Sequence, residues 1–363
     1  MQKSYIAVGL MSGSSLDGVD LVLAKFELND CKWQFEILAA ECVAYPAFWE
    51  NKLKNIRTLD GVSLWQTHVD LGRFYGEIIN DFLTKNKTET VDVIGSHGHT
   101  VFHFPDKKMT CQIGDGAAIA ATTQAKVVCD LRAVDVANGG QGAPIVPIGD
   151  SLLFAEFSLL LNIGGIANIS AKINDKIIAF DCCTANQLLN FYANQLGEKF
   201  DANGEIARSG KLNNELLADL NSLDFFAIAY PKSLDNGFKE KYLAIAENYA
   251  IPIADKLHTI VEHIAFQIQQ QIFSIEKKEQ ISFSKNEKLL VTGGGALSGF
   301  LIEKIKEKIA PTVVVPTVEI INYKEALIMA FIAILRIREE NNVLQKVTGA
   351  SKDSIGGAIY NGK

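Results

Sequence analysis

Residues Leu10-Met11-Ser12-Gly13-Ser14-Ser15-Leu16-Asp17-Gly18-Val19-Asp20 form a glycine- and hydroxyl-rich run between two apolar segments, Tyr5-Ile6-Ala7-Val8-Gly9 and Val19 to Phe26. The first flank is short and apolar, and the second is rich in branched residues and free of proline and glycine, so both predict strands. The run between them then closes a hairpin. This excludes two familiar nucleotide loops, because a Walker loop and a dinucleotide fingerprint each lead from a strand into a helix, and the run also lacks the Walker lysine. A hairpin can still hold phosphate: small residues let successive backbone N–H groups turn toward an anion, and Ser12, Ser14 and Ser15 add hydroxyl donors. Asp17 would repel phosphate, so its useful role is to hold the hydrated Mg²⁺ that travels with a nucleotide. The alternative is a plain turn with a surface aspartate, since glycine and serine are common turn residues.

The pattern then recurs. Leu159 to Ile163 predicts a strand, Gly164-Gly165 a turn, Ile166 to Ile173 a second strand and Lys176 to Phe180 a third, ending at Asp181. The N-terminal copy has its own third strand near Gln34 to Ala39, so the order strand, glycine turn, strand, strand occurs twice, in pattern and not in residue identity. Between the copies come a long helix from about Leu64 to Leu83, a strand from Val91 to Ile94, and Gly95-Ser96-His97-Gly98-His99-Thr100-Val101, which reads as a polar loop. Asp130 to Pro147 reads as either a linker or a ligand loop. Later, the strand Lys288 to Thr292 runs into Gly293-Gly294-Gly295 and a helix from Ser298. Three glycines there serve either a tight turn or the close approach of a flat or charged ligand at a helix N-terminus. Tyr323 to Arg338 predicts a helix whose apolar middle marks it as buried.

A chain of 363 residues accommodates two domains. The net charge of −7 and the absence of a basic run argue against a nucleic-acid partner. The longest apolar stretches, such as Ala326 to Leu335, are too short to span a bilayer, and no signal-like segment opens the sequence, so the expectation is a cytoplasmic protein with no membrane partner. The six cysteines show no CxxC spacing and read as reduced, mostly buried thiols. His97, His99 and His103 lie close together, but no carboxylate or cysteine with familiar ligand spacing accompanies them, which disfavours zinc.

Three glycine turns in this order, with the repeated strand pattern, make the chain similar to the two-domain ATPase superfamily of sugar kinases, actin and the 70-kDa heat-shock proteins. Leu10 to Asp20, Gly95 to Val101, Gln112-Ile113-Gly114-Asp115, Gly139-Gly140-Gln141-Gly142-Ala143-Pro144, Leu161-Asn162-Ile163-Gly164-Gly165-Ile166-Ala167-Asn168 and Lys324-Glu325-Ala326-Leu327 together resemble the anhydro-N-acetylmuramic acid kinase family over nearly the whole chain. The resemblance implies an α/β, actin-like (ribonuclease H-like) fold: two domains with mixed sheets flanked by helices, and ATP and sugar in the cleft between them. It implies an N-terminal lobe of residues 1–134 plus about 340–363 and a C-terminal lobe of 135–339. The implied activity is ATP- and Mg²⁺-dependent conversion of 1,6-anhydro-N-acetylmuramic acid to N-acetylmuramic acid 6-phosphate in peptidoglycan recycling, by a chain that could pair as a homodimer.

On this resemblance ATP would be held by Gly13, Ser14, Ser15, Leu16, Asp17, Gly18, Val19 and Asp20, by Gly164 and Gly165, and by Gly293, Gly294 and Gly295, with Asp17 on the metal. Asp181 matches the base that would deprotonate the attacking water. The sugar side would draw on Ser12, His97, Arg132, Asp135 and Glu325, with Arg132 gripping the lactyl carboxylate through two hydrogen bonds. Each has a plainer reading: Asp181 as a helix N-cap, Arg132 as half of an ion pair with Asp130 or Asp135, Glu325 as a first-turn helix acid. The chain departs from the family pattern at Cys182-Cys183-Thr184 after the base, at His99 where glutamine is common, and at Leu234 to Phe238 after Pro231-Lys232-Ser233. A different small-molecule kinase of the superfamily, or an actin-like nucleotide switch, are the competing readings.

Overall fold

In a computed structural model the structure describes residues 3–13, 16, 18–174, 176–234 and 237–363. The chain divides into two compact units, Met1–Ala155 with Tyr323–Lys363, and Glu156–Asn322. The boundaries expected at 134/135 and near 340 therefore move. Residues 135–155 stay with the first unit because the Asp135 carboxylate is bonded to Thr348 of the C-terminal segment. The apolar stretch from Ala326 joins the same unit because its backbone lies against Gly9 and Gly95 of that unit's sheet.

In the first unit β1 (Ser4–Ser12) pairs antiparallel with β2 (Val19–Asn29), which pairs antiparallel with β3 (Lys32–Val43). On its other side β1 pairs parallel with β4 (Val93–Phe104). β5 (Met109–Ile113) folds back on β4, and β6 (Val127–Cys129) runs parallel to β4. In the second unit β7 (Leu159–Ile163) pairs antiparallel with β8 (Ile166–Ile173), and β8 with β9 (Lys176–Thr184). β10 (Lys288–Thr292) lies parallel to β7, and β11 (Thr312–Val314) parallel to β10. Numbered within each unit, both sheets run third, second, first, fourth and then a strand parallel to the fourth, which is the fifth strand of the second unit but the sixth of the first, where β5 is an added antiparallel strand; the repeat read from the sequence is a repeat of this topology. β12 (Ala358–Tyr360) extends the first sheet antiparallel to β6.

Central strands are buried on both faces, which is why β1 and β7 read as unbroken apolar runs. Under the first sheet the helix Gly61–Lys85 turns Leu71, Tyr75, Ile79 and Phe82 inward at three- and four-residue spacing, with Asp60 capping its first N–H groups. In the second unit the helix Ile253–Glu279 does the same with Leu257, Ile260, Ile264 and Ile268. Among the described residues no helix is long and apolar enough to cross a membrane.

Two local expectations are corrected. Gly95 to Val101 is not a loop but the middle of β4, in which Ser96, His97 and His99 are buried. Its glycine is explained by the helix Val318–Ile337: a Cβ on Gly95 would stand 2.1 Å from the Met329 carbonyl oxygen. β9 likewise continues past Asp181 to Thr184, because β8 keeps pairing with it as far as Ile166 opposite Thr184.

Candidate active site

The first glycine turn joins β1 to β2. Ser14, Ser15 and Asp17 lie outside the described residues. Of the rest, Leu16 adopts φ 60° and packs partly on the core, and the Val19 side chain is wholly buried. Gly18 is required by the fold, since a Cβ there would meet Cys42 Sγ at 2.7 Å and the Val43 carbonyl oxygen at 2.8 Å. Gly13 is partly exposed, and so is Asp20, which pairs with Met11 across the hairpin and lies within electrostatic reach of Glu325.

Ser12, expected on the sugar side, is buried at the end of β1 and fully engaged. Its hydroxyl is hydrogen-bonded to Tyr45 Oη at 2.7 Å and to His99 Nδ1 at 3.1 Å, and Tyr45 Oη to Tyr75 Oη at 2.9 Å. Burial raises the Tyr45 phenol and lowers His99 to about 4, so both stay neutral near pH 7. Tyr45 belongs to no glycine motif, and nothing in the local pattern distinguished it from an ordinary core aromatic.

His97, also expected on the sugar side, is bonded within the protein through both ring nitrogens. Its Nδ1–H donates to the Gly98 carbonyl at 2.9 Å, which leaves Nε2 to accept from Arg132 Nε at 2.9 Å. Burial, with the Arg132 charge beside it, lowers the ring to about 3 and so keeps this acceptor available. Arg132 donates through Nη1 to the Gly142 carbonyl at 2.5 Å, and no described residue hydrogen-bonds to Nη2. Glu325 lies within electrostatic reach of the guanidinium, and burial raises its carboxyl above the usual range, against the opposing charges of Lys324 and Arg132. It is not a first-turn acid, because its helix begins at Val318. The ion pair of Arg132 with Asp135 is absent too. Asp135 is wholly buried, accepting from Gly142 N at 2.7 Å and Thr348 Oγ1 at 2.7 Å, so it clamps the 140–142 glycine segment to the C-terminal segment and has no carboxylate oxygen left for a sugar.

In the second unit Asp181 sits within β9 opposite Asn168, not at a helix start. The following helix, Asn186–Gln195, has Ala185 as its N-cap and no side-chain cap, so the capping role considered for Asp181 is excluded. The carboxylate is partly buried, and burial raises its pKa, against the opposing effect of a hydrogen bond from Leu234 N to Oδ2 at 2.8 Å. The Asp181 N–H donates to the Lys232 carbonyl at 3.1 Å. Lys232 and Leu234 thus hold Asp181 by backbone groups alone. Cys182 and Cys183 are fully buried beside it, and burial pushes both thiols up, which leaves them as packing groups.

The glycines of the second unit differ in what they are for. Gly293 has φ +79° and, like Gly295, has no room for a side chain against Asn162 and Ile163. At Gly164 and Gly294 a Cβ would have no neighbour nearer than 3.6 and 3.5 Å, and neither has a positive φ. The packing therefore does not require glycine at either position, and the backbone is bare at both turns. Among the described residues no group of three or more His, Cys, Asp or Glu is placed to hold a metal ion.

The model of the family "AnmK: Anhydro-N-acetylmuramic acid kinase" matches residues 4–362. The anhydro-N-acetylmuramic acid kinase of Mannheimia succiniciproducens is 35% identical, over 99% of this chain and 100% of its own length. That of Pasteurella multocida is 35% identical, over 97% of this chain and 96% of its own. Among solved structures, the activator of the 2-hydroxyisocaproyl-CoA dehydratase from Clostridium difficile with bound ADPNP aligns with a TM-score of 0.44 at 15% identity, over 92% of this chain and 96% of that one. On the family match and the full-length relatives, the chain belongs to the anhydro-N-acetylmuramic acid kinase family and is a carbohydrate kinase.

Proposed function

We propose that this kinase uses ATP to convert 1,6-anhydro-N-acetylmuramic acid to N-acetylmuramic acid 6-phosphate, opening the anhydro ring with water, as a cytoplasmic step of peptidoglycan recycling. The observation that carries the reading is the state of Asp181: a partly buried carboxylate, gripped through Oδ2 by Leu234, with no capping duty and with Oδ1 free of hydrogen bonds from described residues. A base needs this combination, since the grip fixes its direction and burial raises its basicity. Oδ1 takes a proton from water as the water oxygen bonds to the anomeric carbon. The bond from that carbon to O6 breaks, and O6 takes the γ-phosphoryl group, leaving ADP. Arg132, aimed by His97, supplies the cation for the lactyl carboxylate, with Glu325 as an acceptor for a sugar hydroxyl or amide N–H. Gly164, Gly165 and Gly293 to Gly295 in the second unit, with Gly13 to Asp20 in the first, are the nucleotide-binding turns. Mg²⁺ would neutralise phosphate charge in such a transfer; its proposed ligand, Asp17, lies outside the described residues.

The test is incubation of the protein with the anhydro sugar, ATP and Mg²⁺, with the product identified by mass. The expected product has gained one water and one phosphoryl group. Turnover of a simple hexose with none of the anhydro sugar, or ATP consumption that needs no acceptor, would overturn the reading.

A further inference from the structure

The helix Asn186–Gln195 begins in an unusual way. Asparagine near a helix start ordinarily caps it, accepting from the helix's own unpaired N–H groups. Here those groups are met by the second glycine turn instead: Ala185 N and Gln187 N donate to the Gly165 carbonyl at 2.8 and 3.3 Å, and Asn186 N to the Gly164 carbonyl at 3.1 Å. The Asn186 side chain is therefore spared from capping, and Nδ2 donates to the Ile163 carbonyl at 3.1 Å. A carbonyl can only accept, so this bond requires the amide nitrogen and no other group of the side chain.

Ile163 is also the residue against which the third glycine turn packs. A Cβ on Gly293 would stand 2.7 Å from the Ile163 carbonyl oxygen, and one on Gly295 would stand 2.3 Å from Ile163 Cγ2. A Cβ on Gly294 would have Asn186 Nδ2, at 3.5 Å, as its nearest neighbour. Asn186 thus fixes the end of β7 and the turn after it, its backbone bonded to Gly164 and its amide to the Ile163 carbonyl, and the Gly293–Gly295 turn lies against that same Ile163 with Gly294 beside the amide.

We propose that Asn186 is a positioning residue for the nucleotide: its bonds to Gly164 and Ile163 fix the Gly164-Gly165 turn and the Ile163 backbone against which the Gly293–Gly295 turn packs, so that the two turns keep one relative position. The inference rests on the reading of these turns as nucleotide-binding. This positioning also connects to the chemistry, since the stretch from Asp181 to Asn186 is continuous: a shift of the turn relative to Asn186 is a shift of phosphate relative to the base.

Asn186→Asp is nearly the same size and sets a carboxylate oxygen against the Ile163 carbonyl, while Asn186→Ala removes the donor without adding charge. The expected result for both is a KM for ATP raised about tenfold or more with the KM for the sugar changed less than about twofold. The thermal shift induced by a non-hydrolysable ATP analogue should be lost, and the shift induced by the sugar kept. Unchanged nucleotide affinity in both variants, or a parallel loss of both substrates with a lower melting temperature, overturns the positioning role in favour of a merely structural residue. If Asn186→Asp fails to fold, Asn186→Ala carries the same expectation. Wild-type protein that neither turns over nor binds ATP overturns the nucleotide reading itself, and is separate from a wild type that uses ATP while the variants match it.

Discussion

At the residue scale, the candidate site separates side chains that face a ligand from those that hold others in place. Asp181 is expected to face the reaction. Asn in its place can still accept from Leu234 N through its amide oxygen but cannot take a proton, so Asp181→Asn should retain nucleotide-induced thermal stabilisation while sugar phosphorylation falls by at least about 10²-fold; near-normal turnover would remove Asp181 from the mechanism. Ser12, His97 and Asp135 are holders, each with its polar atoms spent on protein partners. Tyr45 joins them. Tyr45→Phe deletes bonds to Ser12 and Tyr75 inside a buried cluster and should cost about 1–3 kcal/mol, read as a shift of the urea midpoint. The motif around Leu10 to Asp20 made Ser12 conspicuous from sequence, but its partners come from beyond β3 and from β4. Local pattern cannot show that a hydroxyl has already found its acceptors.

At the element scale, glycine carried the most misread information. Gly95 heads a polar run and reads as a loop breaker, yet it lies in β4 because the backbone of the helix Val318–Ile337 passes over it. Gly9 on β1 makes the same approach, where a Cβ would stand 1.8 Å from the Ala326 carbonyl oxygen. Gly95→Ala should therefore destabilise the protein by about 3 kcal/mol or more, seen as a lower melting temperature, although alanine suits a strand at least as well as glycine does. The apolar stretch of that helix was legible as buried, since Ala326 to Leu335 shows no polar face and every one of these residues is buried. What it is buried against was not legible. The second and third glycine turns had the converse fate: the turns were expected, but only their surroundings separate Gly293 and Gly295, which the packing demands, from Gly164 and Gly294, which it does not.

At the scale of the whole molecule, pH is the broadest test. His97 and His263 are lowered to about 3 and His99 to about 4 by burial, from 6.5 in the unfolded chain. Below 6.5 the unfolded chain takes up protons that the folded chain refuses, so stability present above 6.5 is lost as the pH falls toward 4. The unfolding free energy should drop as the pH is lowered from about 6.5 toward 4, with each histidine contributing roughly 1 kcal/mol per pH unit over that range. The raised Asp181 acts in the opposite sense, but only in the lower carboxylate range. His263→Gln, which can still bond to Asn221, should flatten the profile; an unchanged slope would remove His263 as a contributor.

The sequence alone determined the class and order of the elements: apolar runs of strand length, glycine turns between them and a helical period in the long segments are local properties, and they repeat in both halves of the chain. It also carried the family resemblance, because ordered motifs survive even where Cys182 to Thr184 and Leu234 to Phe238 depart from the pattern. Only the tertiary structure decided that β4 runs through Gly95 to Val101, that residues 135–155 stay with the first unit, that His97 serves Arg132 and Asp135 serves Gly142 and Thr348, and that Asn186 is bonded to Ile163 and Gly164. Each of these depends on a partner far along the chain. A buried polar group declares its role by the hydrogen bond it makes, and a glycine by the backbone that passes beside it, so neither can be read before the chain has folded.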